Sequence, residues 1–264
     1  MFTRSLVVGG TGGIGYAIAC QLAAASTSST VIISGRTEPK NLPHTNIEFR
    51  PLDASSMRSI KRYTDSYKSA KEQHLDLLVL TQGIISMAGR SETPEGIDRK
   101  MALHYYGRQL LIRELSPVLK DDAKVLIVLD STRGNPNQLK WDDLDLKSSF
   151  TLAAQRQQGQ KRRTFIHAHP GIVQTDIYKT LPWYIRGVPK ALSQVFGVSP
   201  ETCAKNLLKG TYKCAAADKE GKFWSCINEK GDVVLDKPLW SEEQIQRVSD
   251  HTWKIIDDAL NTSD

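Results

Sequence analysis

Residues 6–19 form an apolar run that breaks into glycines and resumes as an alanine-rich stretch: Leu6-Val7-Val8-Gly9-Gly10-Thr11-Gly12-Gly13-Ile14-Gly15-Tyr16-Ala17-Ile18-Ala19. A strand, a glycine turn and a helix in this order are typical of a dinucleotide phosphate site. Such a turn must reverse tightly, bring bare backbone to a pyrophosphate and aim a helix N-terminus at its charge. Gly9, Gly13 and Gly15 fit these three roles. The plainer interpretation is an ordinary strand-to-helix turn, and the position after an N-terminal strand favours the cofactor site.

The length and composition of the chain suit one α/β domain. It has 264 residues, of which 40% are hydrophobic and 24% charged, and α/β domains often reach about 250 residues. No charged leader with a following apolar segment precedes residues 6–8, so we expect a cytoplasmic protein. The four cysteines show no Cys-x-x-Cys spacing and no nearby histidine pattern, so reduced thiols are expected, with no metal site and no disulfide framework.

The net charge of +6 and the pI near 9.1 raise the question of an anionic partner. The densest basic run, residues 161–163 together with Arg156, has no interleaved aromatic residues. A solvated helix end is therefore the favoured interpretation of this run, and no nucleic-acid partner is expected.

Strand-like and helix-like segments alternate along the chain. Predicted strands cover residues 31–33, 47–50, 75–83, 125–129, 164–168 and 223–227, and predicted helices cover 14–25, 55–71, 97–119, 149–163, 199–214 and a C-terminal amphipathic stretch. Short apolar strands separated by helices predict a doubly wound parallel sheet with helices on both faces. The expected fold class is therefore a Rossmann-like α/β domain that spans residues 1–264.

The spacing Gly9-x3-Gly13-x-Gly15 resembles the cofactor turn of the short-chain dehydrogenase/reductase family. The resemblance extends over nearly the whole chain and is strongest here and at residues 170–175. It implies a nicotinamide cofactor held at the first turn by Gly9, Thr11, Gly13, Ile14 and Gly15.

A second match lies in the segment Pro170-Gly171-Ile172-Val173-Gln174-Thr175, which is similar to the Pro-Gly-x-Val-x-Thr loop of that family. In the family this loop holds the nicotinamide carboxamide. The resemblance thus assigns Pro170, Gly171 and Thr175 to the cofactor site.

Arg36 follows the second predicted strand, about 20 residues after the glycines. An acidic side chain at this position binds the ribose hydroxyls of NAD, whereas an arginine pairs with the 2′-phosphate of NADP. No acid occurs near this position until Glu38, so the sequence favours NADP(H). The alternative is a surface arginine in a turn.

Two further cofactor residues rest on the resemblance. Asp53 stands where the family has an acid that binds the adenine amino group, although it is equally placed to cap the helix predicted for residues 55–71. Gly83 matches the last residue of the family's Asn-Asn-Ala-Gly loop, and Leu80, Thr81 and Gln82 depart from it.

The catalytic residues of the family are matched less well. Ser131 is the candidate for the serine that binds the substrate carbonyl, although an ungapped count from the strand selects Asp130, and a simple Ser-Thr turn is an equal alternative. His104 occupies the place of a relay asparagine, and we assign it no role. The family's Tyr-x-x-x-Lys pair is missing, because no tyrosine occurs between Tyr106 and Tyr178. Divergence, or an incorrectly spliced or predicted product, would each account for the loss.

Residues 176–197 are apolar and aromatic and lie where the family closes a lid over substrate. A lid over a bulky apolar substrate and docking on a membrane through Trp183 and Tyr184 are the two functional interpretations. Since scattered aromatic residues more often pack in a core, membrane contact is the less favoured of the two.

The resemblance implies an NADP-dependent oxidoreductase that acts on an apolar metabolite, and residues 141–146 and 165–171 resemble fungal oxidoreductases of secondary metabolism. The alternative is a cofactor- or partner-binding protein without turnover. A homo-oligomer is left open.

Overall fold

The computed structural model describes residues 3–70, 74–129, 144, 163–184, 186–216, 224–234 and 241–262. Its centre is one parallel sheet of seven strands in the order β3-β2-β1-β4-β5-β6-β7. The strands are β1 (Arg4–Val8), β2 (Thr30–Gly35), β3 (Ile47–Pro51), β4 (Leu75–Leu80), β5 (Leu119–Val128), β6 (Thr164–Ala168) and β7 (Trp224–Ile227). The doubly wound parallel sheet predicted from the sequence is confirmed.

Helices connect the strands and cover both faces of the sheet. They are α1 (Gly13–Ala25), α2 (Met57–Ser69), α3 (Arg99–Met101), α4 (Gly107–Leu115), α5 (Gly187–Phe196), α6 (Pro200–Ala216) and α7 (Glu242–Asn261). In the described part of the chain, no helix combines the length and apolar character needed to cross a membrane.

Alternate residues of the strands enter two separate cores. In β1, Leu6 and Val8 pack with α2, α4 and α7 on one face, whereas Val7 packs with α1 and α6 on the other. Because successive side chains of a strand point to opposite faces, an uninterrupted apolar run is what a sheet covered on both sides requires. The short apolar strands of the sequence have this property.

The N-terminus of α2 is capped by a residue other than Asp53, for which the sequence offered a capping role as one of two alternatives. The N-cap is Ser56, whose side chain accepts a hydrogen bond from Ser59 N, so the capping role suggested for Asp53 is wrong. A buried carboxylate completes this terminus: Glu95 accepts hydrogen bonds from Met57 N at 2.7 Å and Arg58 N at 3.0 Å. The positive end of the helix stabilises that negative charge.

The helix predicted for residues 97–119 is shorter and divided. It consists of α3, a π-helical segment from Ala102 to Tyr106 and α4, and a 3-10 turn at Ser116–Val118 ends it. Pro117 lies in that turn and lacks the N–H that a continuing helix would use. Strand β5 therefore begins at Leu119, six residues before the predicted start.

Arg163 is not at a solvated helix end, as the interpretation of the basic run had it. The residue is buried immediately before β6, and its guanidinium donates hydrogen bonds to Leu119 O and Ser116 O, both at 2.7 Å. It joins the start of β6 to the start of β5. Arg156 and residues 161–162 lie outside the described residues.

Candidate cofactor and substrate site

The candidate site lies at the carboxyl ends of β1 and β4. These strands are neighbours in the sheet, but the chain continues from them in opposite directions. From β1 it passes to β2 on one side, and from β4 it passes to β5 on the other side. A crevice opens at such a switch point, and ligands of open α/β sheets bind there. The glycine turn follows β1, and residues 81–83 follow β4, so the two predicted segments meet at the crevice.

The glycine turn packs directly on the segment after β4. Gly9 has a φ of +82°, and a Cβ there would lie 2.6 Å from Thr81 Oγ1 and 2.7 Å from Gln82 N. Thr81 donates its hydroxyl hydrogen to Val8 O at 3.0 Å, which fixes the contact from the other side. A side chain at position 9 is excluded by both its backbone conformation and its neighbours. Thr81, a departure from the family pattern, is thus part of this turn.

Thr11 and Arg36 lie at the neighbouring edge, beside the end of β2. A Cβ on Gly35 would lie 2.6 Å from Thr11 Oγ1, so the glycine turn rests against the last residue of β2. Arg36 follows immediately and is exposed. Its guanidinium is therefore accessible to a ligand that extends from the turn over β2.

Asp53 lies two residues beyond β3 at the same edge of the sheet, and its carboxylate is exposed. Its Oδ1 accepts hydrogen bonds from Ser55 N at 2.9 Å and Ser55 Oγ at 2.6 Å. These two bonds fix the side chain in an Asx turn and leave the carboxylate at the surface. Its position is compatible with the adenine contact that the resemblance implies.

The loop after β6 reaches the glycine turn. A Cβ on Gly13 would lie 3.2 Å from Thr175 Cγ2. Pro170 O accepts a weak hydrogen bond from Cys203 Sγ at 3.7 Å, and Gly171 lies against Glu229, so the loop is anchored to α6 and to the turn after β7. The sequence matches at residues 9–15 and 170–175 are therefore adjacent in space.

Two predicted residues make different contributions. Gly15 is buried in the first turn of α1, where a Cβ would overlap Gly9 O and Thr81 Oγ1. Ile14 is half-buried and packs its side chain against the core on the α1 face. Only the backbone of Ile14 is thus available to a phosphate at the helix N-terminus.

A buried amide adjoins the turn. Gln82 is buried, with a relative exposure of 6%. In the part of the chain that the structure describes, neither its Oε1 nor its Nε2 has a hydrogen-bond partner. Polar groups buried in this way are costly unless something satisfies them. Bare backbone at Gly9, the N-terminus of α1, a free arginine and an unsatisfied amide together fit a nicotinamide dinucleotide.

His104 positions the chain beyond Gly83. Its Nε2 accepts a hydrogen bond from Ile84 N at 3.0 Å and lies 3.3 Å from where a Cβ of Gly83 would be. The acceptor role places the ring proton on Nδ1. His104 belongs to the π-helical segment, and such segments are frequent at functional sites. It acts through Gly83 and Ile84 and is thus a positioning residue that the sequence did not reveal.

Burial, together with the nearby Arg108 guanidinium, lowers the pKa of His104 from its ordinary 6.5 to about 4. Between these values the unfolded chain binds more protons than the folded one, so stability falls as the pH falls from 6.5 to 4. As the pH falls from 6.5 to 4, the free energy of unfolding of the unsubstituted protein should decrease by about 3 kcal/mol more than that of the His104→Gln variant, which lacks this titrating group. Urea unfolding at several pH values measures it, with His74→Gln as the control. A pH-independent difference would contradict a neutral His104.

Arg108 connects the ends of β4 and β5 from beneath the site. It is buried in α4 and donates hydrogen bonds to Gln82 O at 2.6 Å and Val128 O at 3.0 Å. Burial lowers the pKa of Arg108 to about 9, so it remains protonated at neutral pH. An arginine within the apolar face of this helix was the sequence signal for such a role.

The segment expected to form the lid exposes its apolar side chains. Residues 176–180 form a 3-10 turn, and Thr180 donates a hydrogen bond to Ile85 O, which joins this segment to the loop after β4. Trp183 is 77% exposed and Tyr184 is 70% exposed. The expectation that these aromatic residues pack in a core is wrong. We use the name apolar rim for nine exposed apolar residues of the loop after β4, the loop after β6 and the segment through α5: Ile85, Met87, Ile172, Trp183, Tyr184, Val188, Leu192, Val195 and Phe196.

The candidate catalytic positions are not among the residues brought together above. Ser131 and Asp130 both lie outside the described residues, as do residues 149–162 of the predicted crossover helix. The described site therefore consists of the residues predicted to bind the cofactor and of the groups that position them.

The family model described as "short chain dehydrogenase" matches residues 4–139, just over half of the chain. This range contains the glycine turn, Arg36, Asp53 and the segment after β4. The chain belongs to the short-chain dehydrogenase family.

Two relatives of this short-chain dehydrogenase differ in how much of them it covers. Oxidoreductase AN1596 of Emericella nidulans is 32% identical over 198 residues, which are 66% of this chain and 59% of the relative. The chain thus spans less than two thirds of that relative's length. Polyprenol dehydrogenase of Homo sapiens is 27% identical over 281 aligned residues, covering 90% of this chain and 83% of the relative.

Solved structures share the fold of this short-chain dehydrogenase. A short-chain dehydrogenase family protein from Francisella tularensis superimposes with a TM-score of 0.61 at 19% identity, covering 87% of this chain and 98% of the other. A putative short-chain dehydrogenase/reductase from Burkholderia multivorans, solved with bound NADP, gives 0.58 at 12% identity, with 88% and 98% covered. At these identities the likeness establishes the fold.

Proposed function

We propose that the chain is an NADP(H)-dependent oxidoreductase that moves hydride between the nicotinamide and a carbonyl or alcohol group of an apolar metabolite. The observation that carries the proposal is that the glycine turn contacts both Gln82 and Thr175, with Arg36 exposed at the end of the neighbouring strand β2. The nicotinamide supplies the hydride when it is bound. Residues of the chain would hold it: the backbone at Gly9 and the N-terminus of α1 would receive the pyrophosphate, Arg36 would pair with the 2′-phosphate, and Thr175 would contact the nicotinamide.

The apolar substrate is supported by the apolar rim, whose residues are exposed and belong to α5 and to the loops that follow β4 and β6. The human relative acts, by its name, on a polyprenol, a long apolar alcohol. Residues 176–197 would serve as the lid of a single domain. A role in secondary metabolism and a cytoplasmic location stay predictions from the sequence.

A second candidate is a cofactor-binding protein without turnover. The sequence lacks a tyrosine between Tyr106 and Tyr178, so the general acid of the family is not found. The match to human polyprenol dehydrogenase extends over 281 aligned residues, more than the 264 of this chain, so the alignment opens gaps in this chain. A lost segment fits both observations.

One assay distinguishes the two candidates. The full chain is titrated with NADPH by fluorescence and then tested for NADPH oxidation with a panel of apolar ketones and aldehydes. Turnover that disappears in Ser131→Ala supports the enzyme, whereas tight NADPH binding without oxidation of any compound supports the binding protein. Absence of NADPH and NADH binding would contradict both.

Arg36→Ala tests the choice of cofactor. We expect the dissociation constant for NADPH to rise about tenfold or more and that for NADH to stay unchanged, because a charge-assisted hydrogen bond to the 2′-phosphate contributes about 1.5 to 3 kcal/mol. The control is Arg62→Ala, which removes an exposed arginine of α2 that lies outside the predicted cofactor residues. An equal loss for both cofactors would contradict the NADP assignment.

A further inference from the structure

Helix α5 exposes its apolar side chains to solvent, whereas an ordinary surface helix buries them. Val188, Leu192 and Val195 recur at helical spacing on its exposed side, where Val195 is 74% exposed. Ser193, by contrast, is 2% exposed and donates its hydroxyl hydrogen to Lys190 O at 2.8 Å. Soluble proteins bury the apolar stripe of such a helix. The stripe of α5 therefore faces outward, away from the core of the chain.

The apolar rim continues from this stripe. Val198 N donates to Ile172 O at 3.0 Å, so residue 172 lies beside the end of α5. Trp183 and Tyr184 meet edge to face with ring centroids 5.9 Å apart, just before the helix. Large exposed apolar surfaces of this kind mark an interaction site, and exposed tryptophan and tyrosine are typical of contact with a membrane interface.

The basic charge of residues 177–198 favours an anionic partner. Residues 177–198 contain Lys179, Arg186 and Lys190 and no acidic residue. Lys179 is paired with Asp176 at 2.7 Å, whereas Arg186 and Lys190 are exposed, and no ion pair of theirs is found within the described ranges. The two lie one helical turn apart, on the opposite half of the helix from Val195. An apolar stripe with basic residues on the other half is the pattern of a helix that lies in a lipid headgroup region.

We propose that α5 and the apolar rim dock this protein on the surface of an anionic lipid bilayer. The apolar stripe, Trp183 and Tyr184 enter the boundary between headgroups and acyl chains, and Arg186 and Lys190 stay at the headgroups. Contact between the apolar stripes of two copies is the alternative to lipid, and it would give a dimer whose formation depends on the same side chains. The inference goes beyond the proposed oxidoreductase function and does not depend on cofactor binding.

Flotation of the full chain with lipid vesicles tests the proposal. We expect binding to vesicles of phosphatidylcholine and phosphatidylserine in a ratio of about three to one that is clearly tighter than binding to phosphatidylcholine alone. Trp183→Ser combined with Val195→Ser should weaken binding to both by at least about tenfold. Arg186→Gln combined with Lys190→Gln should remove about tenfold on the mixed vesicles and leave binding to phosphatidylcholine unchanged.

Val233→Ser is the matched control, because Val233 is an exposed valine in the turn after β7 and lies outside the apolar rim. It should bind both vesicles as the unsubstituted protein does. All variants change exposed side chains, and circular dichroism verifies their fold. Absence of vesicle binding, or binding that survives in the Trp183 and Val195 variant, overturns the proposal. It is also overturned if light scattering shows a dimer that this variant dissociates and neither form binds vesicles.

Discussion

Gly15→Ala is expected to abolish NADPH binding and to lower the free energy of unfolding by about 3 kcal/mol. The added Cβ would overlap Gly9 O and Thr81 Oγ1 and would lie 2.9 Å from Gly9 C. Two of these three atoms belong to the backbone of the glycine turn, which we propose receives the pyrophosphate. They can move only if the turn itself moves away from Thr81, and the binding surface is lost with it. NADPH titration and urea unfolding measure the two effects.

Gly12→Ala provides the matched control for this substitution. Gly12 is the N-cap of α1 with an extended backbone, φ −170° and ψ 167°, and no heavy atom lies within 4 Å of its would-be Cβ. Alanine adopts that conformation, so we expect a loss of at most about 1 kcal/mol, from the poorer cap alone. Equal losses of stability at positions 12 and 15 would contradict the packing of the turn on Thr81.

The fold was predictable because local sequence and global topology agree. Val31 to Ile33 and the apolar run that begins at Leu75 have the length and the side chains of buried parallel strands, and both are strands in the structure. The glycine turn lies between the first strand and the first helix, so it also indicated that strands and helices alternate from the N-terminus onward. The ends of elements were less predictable: tertiary contacts such as those of Glu95 with the N-terminus of α2 determine them.

The candidate site was predictable where a backbone requirement leaves a mark in the sequence. Gly9 and Gly15 are glycines because Thr81 leaves no room for a Cβ, and a spacing pattern records that. The roles of His104 and Gln82 depend on which loops the fold brings beside them, and no spacing in the sequence encodes that. For Arg108 the sequence signal was its place within an apolar helix face, which does not identify its partners. The expectation that Trp183 and Tyr184 pack in a core was wrong for a related reason: composition identifies residues 176–197 as apolar but does not tell whether their side chains face the core or solvent.

Arg108→Met is the second large effect that we expect, a loss of about 3 kcal/mol in the free energy of unfolding. Methionine fills a similar volume but leaves Gln82 O and Val128 O, now at 2.6 Å and 3.0 Å from the guanidinium, without their donor. Each buried carbonyl left unsatisfied costs about 1 to 3 kcal/mol, and removal of the buried charge offsets part of the cost of the two. Arg108→Lys should recover only part of the loss, because one ammonium lacks the fork that reaches both carbonyls.

Arg113→Met serves as the control on the same helix. Arg113 is partly exposed and its guanidinium lies over the ring of Trp253 at 4.1 Å, a contact worth about 1 kcal/mol at such a site. Because Arg108 holds the ends of β4 and β5 together, its substitution should also weaken NADPH binding at pH 7, whereas Arg113→Met should not. If Arg108→Met kept both the stability and the affinity of the unsubstituted protein, the two carbonyls would have to find other donors, and the site would not depend on the arginine beneath it.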